Sequence, residues 1–346
     1  MLDDNNVLMQ RDPSGALDVA AKQFEQAQFR PDVLSPEHDG RTIENIVITG
    51  MGGSTLAALL LKSLKRYDMP LPLEVVRGYG LPGYVGPNTL VIASSYSGNT
   101  EETLSGLVEA TSRGAQVGVM TSGGKLAEIA TENNMCHVLL PSGYQPRMTV
   151  IYSLIALMTL LGHFNIPAMD SMAEIHQASD FLREATSGWN KAVTVDKNYA
   201  KQLALLAVGK TPVFYGGEWT GPLAYKWKIS WNENAKNVAF CNEYPEFNHN
   251  EFMGWASHPV EKPFAVFDLI SDFEHSQILK RFEVSDRLLS GRRPKAHVVT
   301  LAGSSPLEQL LWGCVLADFV SIYVAILNGV DPTPVELIEK LKKELA

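Results

Sequence analysis

The chain has 346 residues, more than one hydrophobic core usually organises, so two domains are expected. It is 45% apolar and 19% charged, as in an ordinary globular protein, and 38 acidic against 29 basic residues give a net charge of −9. The sequence contains no basic run, which argues against a nucleic-acid or anionic-membrane surface. The acidic start lacks signal-peptide features, and the uncharged stretch between Arg147 and His163 is short for a membrane span. We expect a soluble, cytoplasmic protein.

Strands and helices alternate along the first half of the chain. Residues 44–50 (ENIVITG) predict a strand, and STLAALLLKSLKRY predicts the helix after it. Further strands are predicted at 71–79, at 88–95 and in the runs AQVGVMTS and CHVLLPS, with helices over EETLSGLVEATSRG and KLAEIATENN. Short apolar strands separated by amphipathic helices predict a parallel sheet with helices on both faces.

The second half repeats this pattern more loosely. A long helical region is predicted from about Asp170 to Ala207, and 211–221 (TPVFYGGEWTG) then resembles the first strand, glycine-rich turn and helix. NVAF, PFAVFDLI and HVVTLAG supply later strands. We place the domain boundary in the connection HFNIPAMD. This gives a first domain of residues 1–165, with an N-terminal arm, and a second of residues 166–346.

Two polar turns follow neighbouring predicted strands of the first half, GMGGS (50–54) and SSYSGNT (94–100). Strand ends line the ligand crevice of an open α/β sheet, and a helix start offers backbone N–H groups to an anion. Neutral donors beside a helix dipole suit a phosphate monoester held without Mg²⁺. The plainer alternative is a pair of polar loops. The donors that we expect at a phosphate site are Gly52, Gly53, Ser54, Ser95, Ser97 and Thr100.

No cofactor or metal site is predicted. Thr55 stands where a GxGxxG dinucleotide fingerprint needs glycine, Arg77 rather than an acid closes the next strand, and GxxxxGK[ST] is absent. A nicotinamide dehydrogenase is therefore disfavoured. Cys136, Cys241 and Cys314 lie far apart and never form CxxC, so buried thiols are expected rather than zinc ligands or a disulfide framework.

These turns resemble those of a known family. GMGGS followed by SYSGNTEET is similar to the sugar isomerase (SIS) domain, whose SxSGxT turn cradles phosphate. GYQPRMTV, WNENAKN, PEFNHNEFMGW and GVDPTPVELIEKLKKEL, in this order, resemble the bifunctional phosphoglucose/phosphomannose isomerases. The resemblance runs from Gly50 almost to the C-terminus and leaves about the first forty residues without a motif. It implies two doubly wound, flavodoxin-like SIS domains and a C-terminal helix that closes over the site.

The resemblance implies an aldose–ketose isomerase that passes through a cis-enediol and needs no cofactor. Glu233 in WNENAKN resembles the general base that moves a proton between carbons 1 and 2 of the sugar. His249 resembles a ring-opening group that the neighbouring subunit of a homodimer supplies, and Lys340 resembles a second one. Thr333 resembles the residue linked to the mannose epimer, and Arg147 resembles the cation that steadies the enediolate.

The residue types fit this chemistry, but each also has a plainer interpretation. Partial burial against Trp231 would raise the pKa of a general base, yet Glu233 lies in a polar helix end typical of a surface acid. Lys340 lies in IEKLKKEL, which is typical of a solvated helix face, and DPTP predicts a helix start with Thr333 as N-cap. His249, between two asparagines, also fits a helix end.

Two other classes of protein share the SIS module. A non-catalytic phosphosugar regulator would keep SYSGNT but need not keep Glu233, His249 and Lys340 together, so their joint presence disfavours it. An amino-sugar synthase of the amidotransferase type needs an N-terminal catalytic cysteine, and the first cysteine here is Cys136.

Overall fold

The structure is a computed structural model that describes residues 1–166, 172–256 and 261–345. It divides into unit 1, Met1–Lys22 with Phe181–Ala346, and unit 2, Gln23–Asp180. The sequence placed the division after residue 165 and gave the N-terminal arm to the first domain. The structure instead places the first two helices, α1 (Asn5–Arg11) and α2 (Ala16–Ala21), in unit 1. Of the connection HFNIPAMD, the part from residue 167 on lies outside the described residues.

Unit 2 is built on a five-stranded sheet. Its strands are β1 (Asn45–Gly50), β2 (Leu73–Val76), β3 (Thr89–Ser94), β4 (Gln116–Thr121) and β5 (Cys136–Leu139). All pair in parallel in the order β2-β1-β3-β4-β5, the flavodoxin-type doubly wound order. Its helices are α3 (Gln23–Gln26), α4 (Leu56–Leu64), α5 (Glu101–Ser112), α6 (Gly124–Glu132), α7 (Val150–His163) and α8 (Met172–Trp189), the last continuing past residue 180.

Unit 1 contains a four-stranded sheet with a related order. Its strands are β6 (Thr211–Gly216), β7 (Phe240–Glu243), β8 (Phe264–Ile270) and β9 (His297–Thr300). They pair in parallel as β7-β6-β8-β9, which matches β2-β1-β3-β4 of unit 2. The remaining helices are α9 (Tyr199–Ala207), α10 (Gly221–Asn234), α11 (Phe247–Asn250), α12 (Ser276–Leu288), α13 (Pro306–Asn328) and α14 (Glu336–Leu345).

The prediction of two parallel α/β sheets with a C-terminal helix is confirmed. Two local predictions differ. The long helix expected over Asp170–Ala207 is two helices, α8 and α9, interrupted between Trp189 and Tyr199. The strand expected in NVAF begins only at its last residue, Phe240.

The core of unit 1 is rich in aromatic side chains carried by α10 and the sheet. Trp227 and Trp231, one turn apart, are fully buried and pack on Phe214 and Phe267 of the central strands. Trp227 and Trp231, which precede Glu233 on α10, are thus core residues. α13 is the one helix, within the described parts of the chain, that is long and apolar enough to cross a membrane. Its most apolar window is 94% buried inside the structure, as expected of a core helix.

Candidate active site

The two glycine- and serine-rich turns of unit 2 lie at the same edge of the sheet. β1 ends at Gly50 and pairs there with Ser94, the last residue of β3. A Cβ on Gly50 would lie 2.5 Å from the Ser94 carbonyl oxygen, so only glycine fits this close pairing. A 3-10 turn, Gly52–Thr55, then leads into α4, and its first residue has a positive φ of 51° that suits glycine. Both turns therefore face the crevice expected for an anion.

Hydrogen bonds lock the two turns together. The Ser94 hydroxyl donates to the Ser54 carbonyl oxygen at 2.7 Å, and the Tyr96 N–H donates to the Ser54 hydroxyl oxygen at 3.0 Å. The hydroxyls of Ser95 and Thr100 are hydrogen-bonded to each other at 2.8 Å. Ser95 is only 1% exposed, whereas Ser97 is exposed and Thr100 is half-buried. Ser95 thus stabilises the SYSGNT turn from its buried side, and Ser97 lies on the solvent-exposed side of the turn.

A third segment fixes the second turn from behind. Gly98 has a φ of 70°, and a Cβ on it would lie 1.8 Å from the Gly123 carbonyl oxygen. The Leu126 N–H donates to the Gly98 carbonyl oxygen at 2.9 Å, and the Lys125 N–H donates to the Asn99 amide oxygen at 3.1 Å. The start of α6 therefore holds the SYSGNT turn in one conformation.

Arg147 lies beside the first turn. A Cβ on Gly53 would lie 3.1 Å from the Arg147 backbone nitrogen, so the missing side chain lets these two backbones approach. The Arg147 side chain is 1% exposed and donates through Nη1 to the Gln145 side-chain oxygen at 3.1 Å. Within unit 2, the structure thus brings together the six predicted phosphate-site residues and the predicted cation.

Glu233 and Thr333 lie in unit 1, in segments that Lys236 connects. Glu233 is half-buried in the last turn of α10. The Lys236 ammonium donates to the Glu233 carbonyl oxygen at 2.7 Å and to the Pro332 carbonyl oxygen at 3.1 Å. The Thr333 N–H donates to the Asp331 carboxylate at 2.9 Å. Lys236, a residue of WNENAKN for which the sequence predicts no role, therefore joins the end of the Glu233 helix to the DPTP segment.

The DPTP segment is not the helix start that the sequence predicted. α14 begins at Glu336, and the N–H groups of Ile338 and Glu339 donate to the Val335 carbonyl oxygen. Thr333 therefore precedes the helix instead of capping it. The Asp331 carboxylate accepts the Thr333 N–H and shapes the turn, as short acidic side chains do in turns.

His249 and Lys340 are both exposed. His249 lies on the one-turn helix α11, which the fully buried Phe247 anchors to the unit 1 core. The Lys340 side chain is 74% exposed and forms a long ion pair of 3.8 Å with Glu344 on the same helix. None of the α14 residues that the structure describes is buried, and the apolar Leu337 of this helix is 84% exposed. Both side chains are thus on the surface of unit 1.

Comparison with known proteins gives the family. A bifunctional phosphoglucose/phosphomannose isomerase of Caldicellulosiruptor bescii is 37% identical over 329 residues, covering 94% of this chain and 96% of that one. The chain belongs to the bifunctional phosphoglucose/phosphomannose isomerase family. The family model described as the bacterial phospho-glucose isomerase C-terminal SIS domain also matches residues 196–345.

Two further comparisons show how widely this phosphoglucose/phosphomannose isomerase scaffold is shared. A D-glucosamine-6-phosphate 4-epimerase of Sulfolobus acidocaldarius is 34% identical, covering 66% of this chain and 70% of that one. The crystal structure of a glucose-6-phosphate isomerase like protein from Thermus thermophilus covers 99% of this chain and 98% of that one, with a TM-score of 0.65 and 18% identity. The latter supports the two-sheet fold alone.

Sequence reasoning missed a buried ionic cluster behind Glu233 in this isomerase-family chain. Lys226 and Asp318 are 0% and 1% exposed at the side chain and are joined at 2.6 Å, and the Ser230 hydroxyl bridges them. Asn234 donates to the Ser321 hydroxyl oxygen at 2.8 Å one turn further along. The signal was Asp318, a lone acid inside the apolar run LLWGCVLADFVSIYVAIL of α13, because buried charges are normally paired.

Proposed function

We propose that the protein interconverts glucose 6-phosphate and mannose 6-phosphate with fructose 6-phosphate through a cis-enediol. The observation that carries the proposal is the joint presence of the hydroxyl-lined turn of unit 2 and Glu233 at the end of α10, in a chain of this family. Aldose–ketose isomerisation moves protons within one molecule and has no net redox change. We therefore propose no metal or redox cofactor.

The phosphate group is assigned to the turns of unit 2. Backbone N–H groups of the Gly52–Thr55 turn and the hydroxyls of Ser97 and Thr100 supply neutral donors, and the starts of α4 and α5 add helix dipoles. Arg147 is assigned to the oxygen that becomes negative as the enediolate forms, since a positioned cation stabilises developing charge.

Glu233 is assigned as the general base. It takes the proton from carbon 2 of the aldose, and the electron pair forms the enediol double bond as oxygen 1 gains a proton. The proton then returns to carbon 1 while oxygen 2 gives up its hydroxyl proton, which leaves the ketose with no net change in protons. An enediol carries no stereochemistry at carbon 2, so the glucose and mannose epimers lead to one intermediate. Thr333, near the same helix end through Lys236, is assigned to selection between the epimers when the proton returns to carbon 2.

His249 and Lys340 are assigned to ring opening, which needs a proton donor and a proton acceptor near the ring oxygen and the anomeric hydroxyl. Histidine suits this step because its ordinary pKa lies near neutral pH. We propose a cytoplasmic homodimer in which each subunit supplies His249 to its partner. The exposed positions of His249 and of the apolar residues of α14 support this arrangement.

The first test is a coupled assay of the purified protein on mannose 6-phosphate and on fructose 6-phosphate, without added metal. We expect fructose 6-phosphate from the first substrate and glucose 6-phosphate from the second. Glucosamine 6-phosphate is included as a third substrate, because one relative is an epimerase of that sugar. Tight binding of these sugars without turnover would instead favour the regulator class.

Two variants separate chemistry from binding. Glu233→Gln keeps the shape of the side chain but cannot accept the proton, so we expect turnover to be lost while fructose 6-phosphate binding stays near wild type. Ser97→Ala should raise KM more than it lowers kcat, because Ser97 is assigned to phosphate. Loss of fructose 6-phosphate binding in Glu233→Gln would mean that Glu233 is structural or positions the substrate. A fall in kcat larger than the rise in KM in Ser97→Ala would remove the assignment of Ser97 to phosphate.

A further inference from the structure

Unit 1 contains two loops that correspond to the two loops assigned to phosphate in unit 2. In unit 2, β1 leads through GMGGS into α4, and the neighbouring β3 leads through SSYSGNT into α5. In unit 1, β6 leads through residues 216–220 (GGEWT) into α10, and the neighbouring β8 leads through residues 271–275 (SDFEH) into α12. The sheet orders match, so the two pairs of loops occupy equivalent strand ends. Where the unit 2 loop offers hydroxyls, the unit 1 loop offers a carboxylate, Glu274.

The Glu274 carboxylate lies inside the GGEWT turn (residues 216–220), which is called the unit 1 turn below. Its Oε1 accepts the Trp219 N–H at 2.9 Å and the Thr220 N–H at 3.0 Å. The Thr220 hydroxyl lies 3.1 Å from Oε1 and shares its one proton between Oε1 and the Leu269 carbonyl oxygen at 2.9 Å. Glu274 is only 5% exposed. Its Oε2 is also buried and has no hydrogen-bond partner among the residues that the structure describes. A buried carboxylate thus fills a set of donors of the kind that binds free anions.

The glycine of this turn makes room for the carboxylate. A Cβ on Gly217 would lie 2.4 Å from the Glu274 carboxyl carbon and 2.5 Å from Oε1. The Gly217 N–H donates to the Thr220 hydroxyl oxygen at 2.7 Å, which orients that hydroxyl. Glycine in such turns usually lets a ligand approach the backbone, and here the chain's own carboxylate takes that place.

The charge of Glu274 is balanced by the turn itself. Burial raises the pKa of the Glu274 carboxyl, and hydrogen bonds from Thr220, Trp219 and the Glu218 backbone act in the opposite direction. These donors stand at the N-terminus of α10, where the helix dipole favours a negative charge. Backbone amides, one hydroxyl and a helix start therefore replace the cation that a buried carboxylate usually needs.

We propose that Glu274 is an internal substitute for a bound anion: unit 1 carries a second anion-binding turn that its own carboxylate fills permanently. Of these corresponding turns, the one in unit 2 is then the one left open to an anion. The same carboxylate fixes the start of α10, the helix whose last turn carries Glu233. The inference concerns unit 1 alone and does not depend on the proposed reaction.

The test is rescue of a cavity variant by small anions. Glu274→Ala removes the carboxylate and leaves a space lined by its former donors. We expect the variant to unfold at a lower temperature than wild type, and added acetate or inorganic phosphate to restore part of that loss at constant ionic strength. An anion with a millimolar Kd, raised to about a hundred times that value, should raise the unfolding temperature by about 5–10 °C.

The readout and the control come from the same unit. All six tryptophans lie in the unit 1 part of the chain, so their fluorescence reports unfolding of unit 1. Asp272→Ala removes an exposed carboxylate from the same loop and should respond to anions as the wild type does. An equal anion response in Glu274→Ala, Asp272→Ala and wild type would overturn the proposal.

A second measurement holds even where Glu274→Ala does not fold. Titration of the wild-type protein with inorganic phosphate, followed by calorimetry, examines the unit 1 turn with Glu274 still in place. We expect at most one equivalent of phosphate per chain, because the unit 1 turn is already filled. A second equivalent of phosphate per chain would show an open turn in unit 1 and would overturn the proposal. Neither measurement uses catalytic turnover, so each remains interpretable if the proposed reaction fails.

Discussion

Removing one charge from the buried pair of Lys226 and Asp318 should destabilise unit 1 strongly. The two side chains are almost completely buried and lie 2.6 Å apart, with the Ser230 hydroxyl bonded to both. Asp318→Leu leaves a buried ammonium without its carboxylate, and Lys226→Met leaves the reverse. Breaking such a pair costs about 3–5 kcal/mol, which in a domain of this size lowers the unfolding temperature by on the order of 10 °C.

Replacing both partners should be far milder than replacing one. A Lys226→Met/Asp318→Leu double variant contains no unpaired charge, and apolar side chains of similar size often replace a buried ion pair with little loss. We expect its stability to lie within about 2 kcal/mol of wild type. The four proteins of this cycle are compared by urea unfolding, followed by tryptophan fluorescence because all six tryptophans report unit 1.

The matched control is Lys228→Met, two residues further along the same helix. Lys228 is half-buried and its ammonium lies over the Tyr225 ring at 5.5 Å, so its loss should cost less than about 1 kcal/mol. The reasoning would be refuted if Lys226→Met cost no more than this control. It would also be refuted if the double variant lost the sum of the two single losses, because the pair would then contribute no coupling.

Two further predictions concern pH and the phosphate turn. Burial raises the pKa of Asp268 to about 7, so the stability contributed by its protonated form is complete below about pH 4 and lost as pH rises through 7. The wild-type advantage over Asp268→Asn should therefore fall by on the order of 4 kcal/mol between pH 4 and 8 in urea unfolding, and a constant difference would contradict this. Gly98→Ala should raise KM for fructose 6-phosphate at least about tenfold, because its Cβ would overlap Gly123. Gly40→Ala, also at positive φ but with nothing near its Cβ, should leave KM unchanged.

Local patterns in the sequence predicted the elements that are decided locally. The apolar run before SSYSGNT becomes β3, whose six residues are all buried, and the acids of EETLSGLVEATSRG begin α5 as expected. The alternation of strands and helices predicted the parallel sheets, whereas their flavodoxin-like order was implied by the family resemblance. The clustering of the two turns at one sheet edge could be predicted because the ends of neighbouring parallel strands coincide.

Contacts between distant segments could not be predicted in this way. The first 22 residues carry no periodic pattern that predicts which segment they contact. The Asp3 carboxylate nevertheless lies 2.9 Å from the ammonium of Lys201, whose side chain is fully buried. The role of Lys236 depends on two carbonyl oxygens about a hundred residues apart, at Glu233 and Pro332. The Glu274 carboxylate depends on a loop that approaches from the neighbouring strand. Each is decided by tertiary packing, which a window of sequence does not contain.

The discontinuous make-up of unit 1 has a consequence for how the chain is made. Unit 2 is complete once Asp180 has left the ribosome, but the Arg11 guanidinium donates to the Ile326 carbonyl oxygen, 315 residues later. At ordinary rates of translation, the N-terminal helices therefore wait about 15–60 s for their partner segments. During that time they depend on chaperones or on their own solubility. A tag placed before Met1 would then hinder maturation of unit 1 while leaving unit 2 intact, although unit 2 is the first of the two to be completely synthesised.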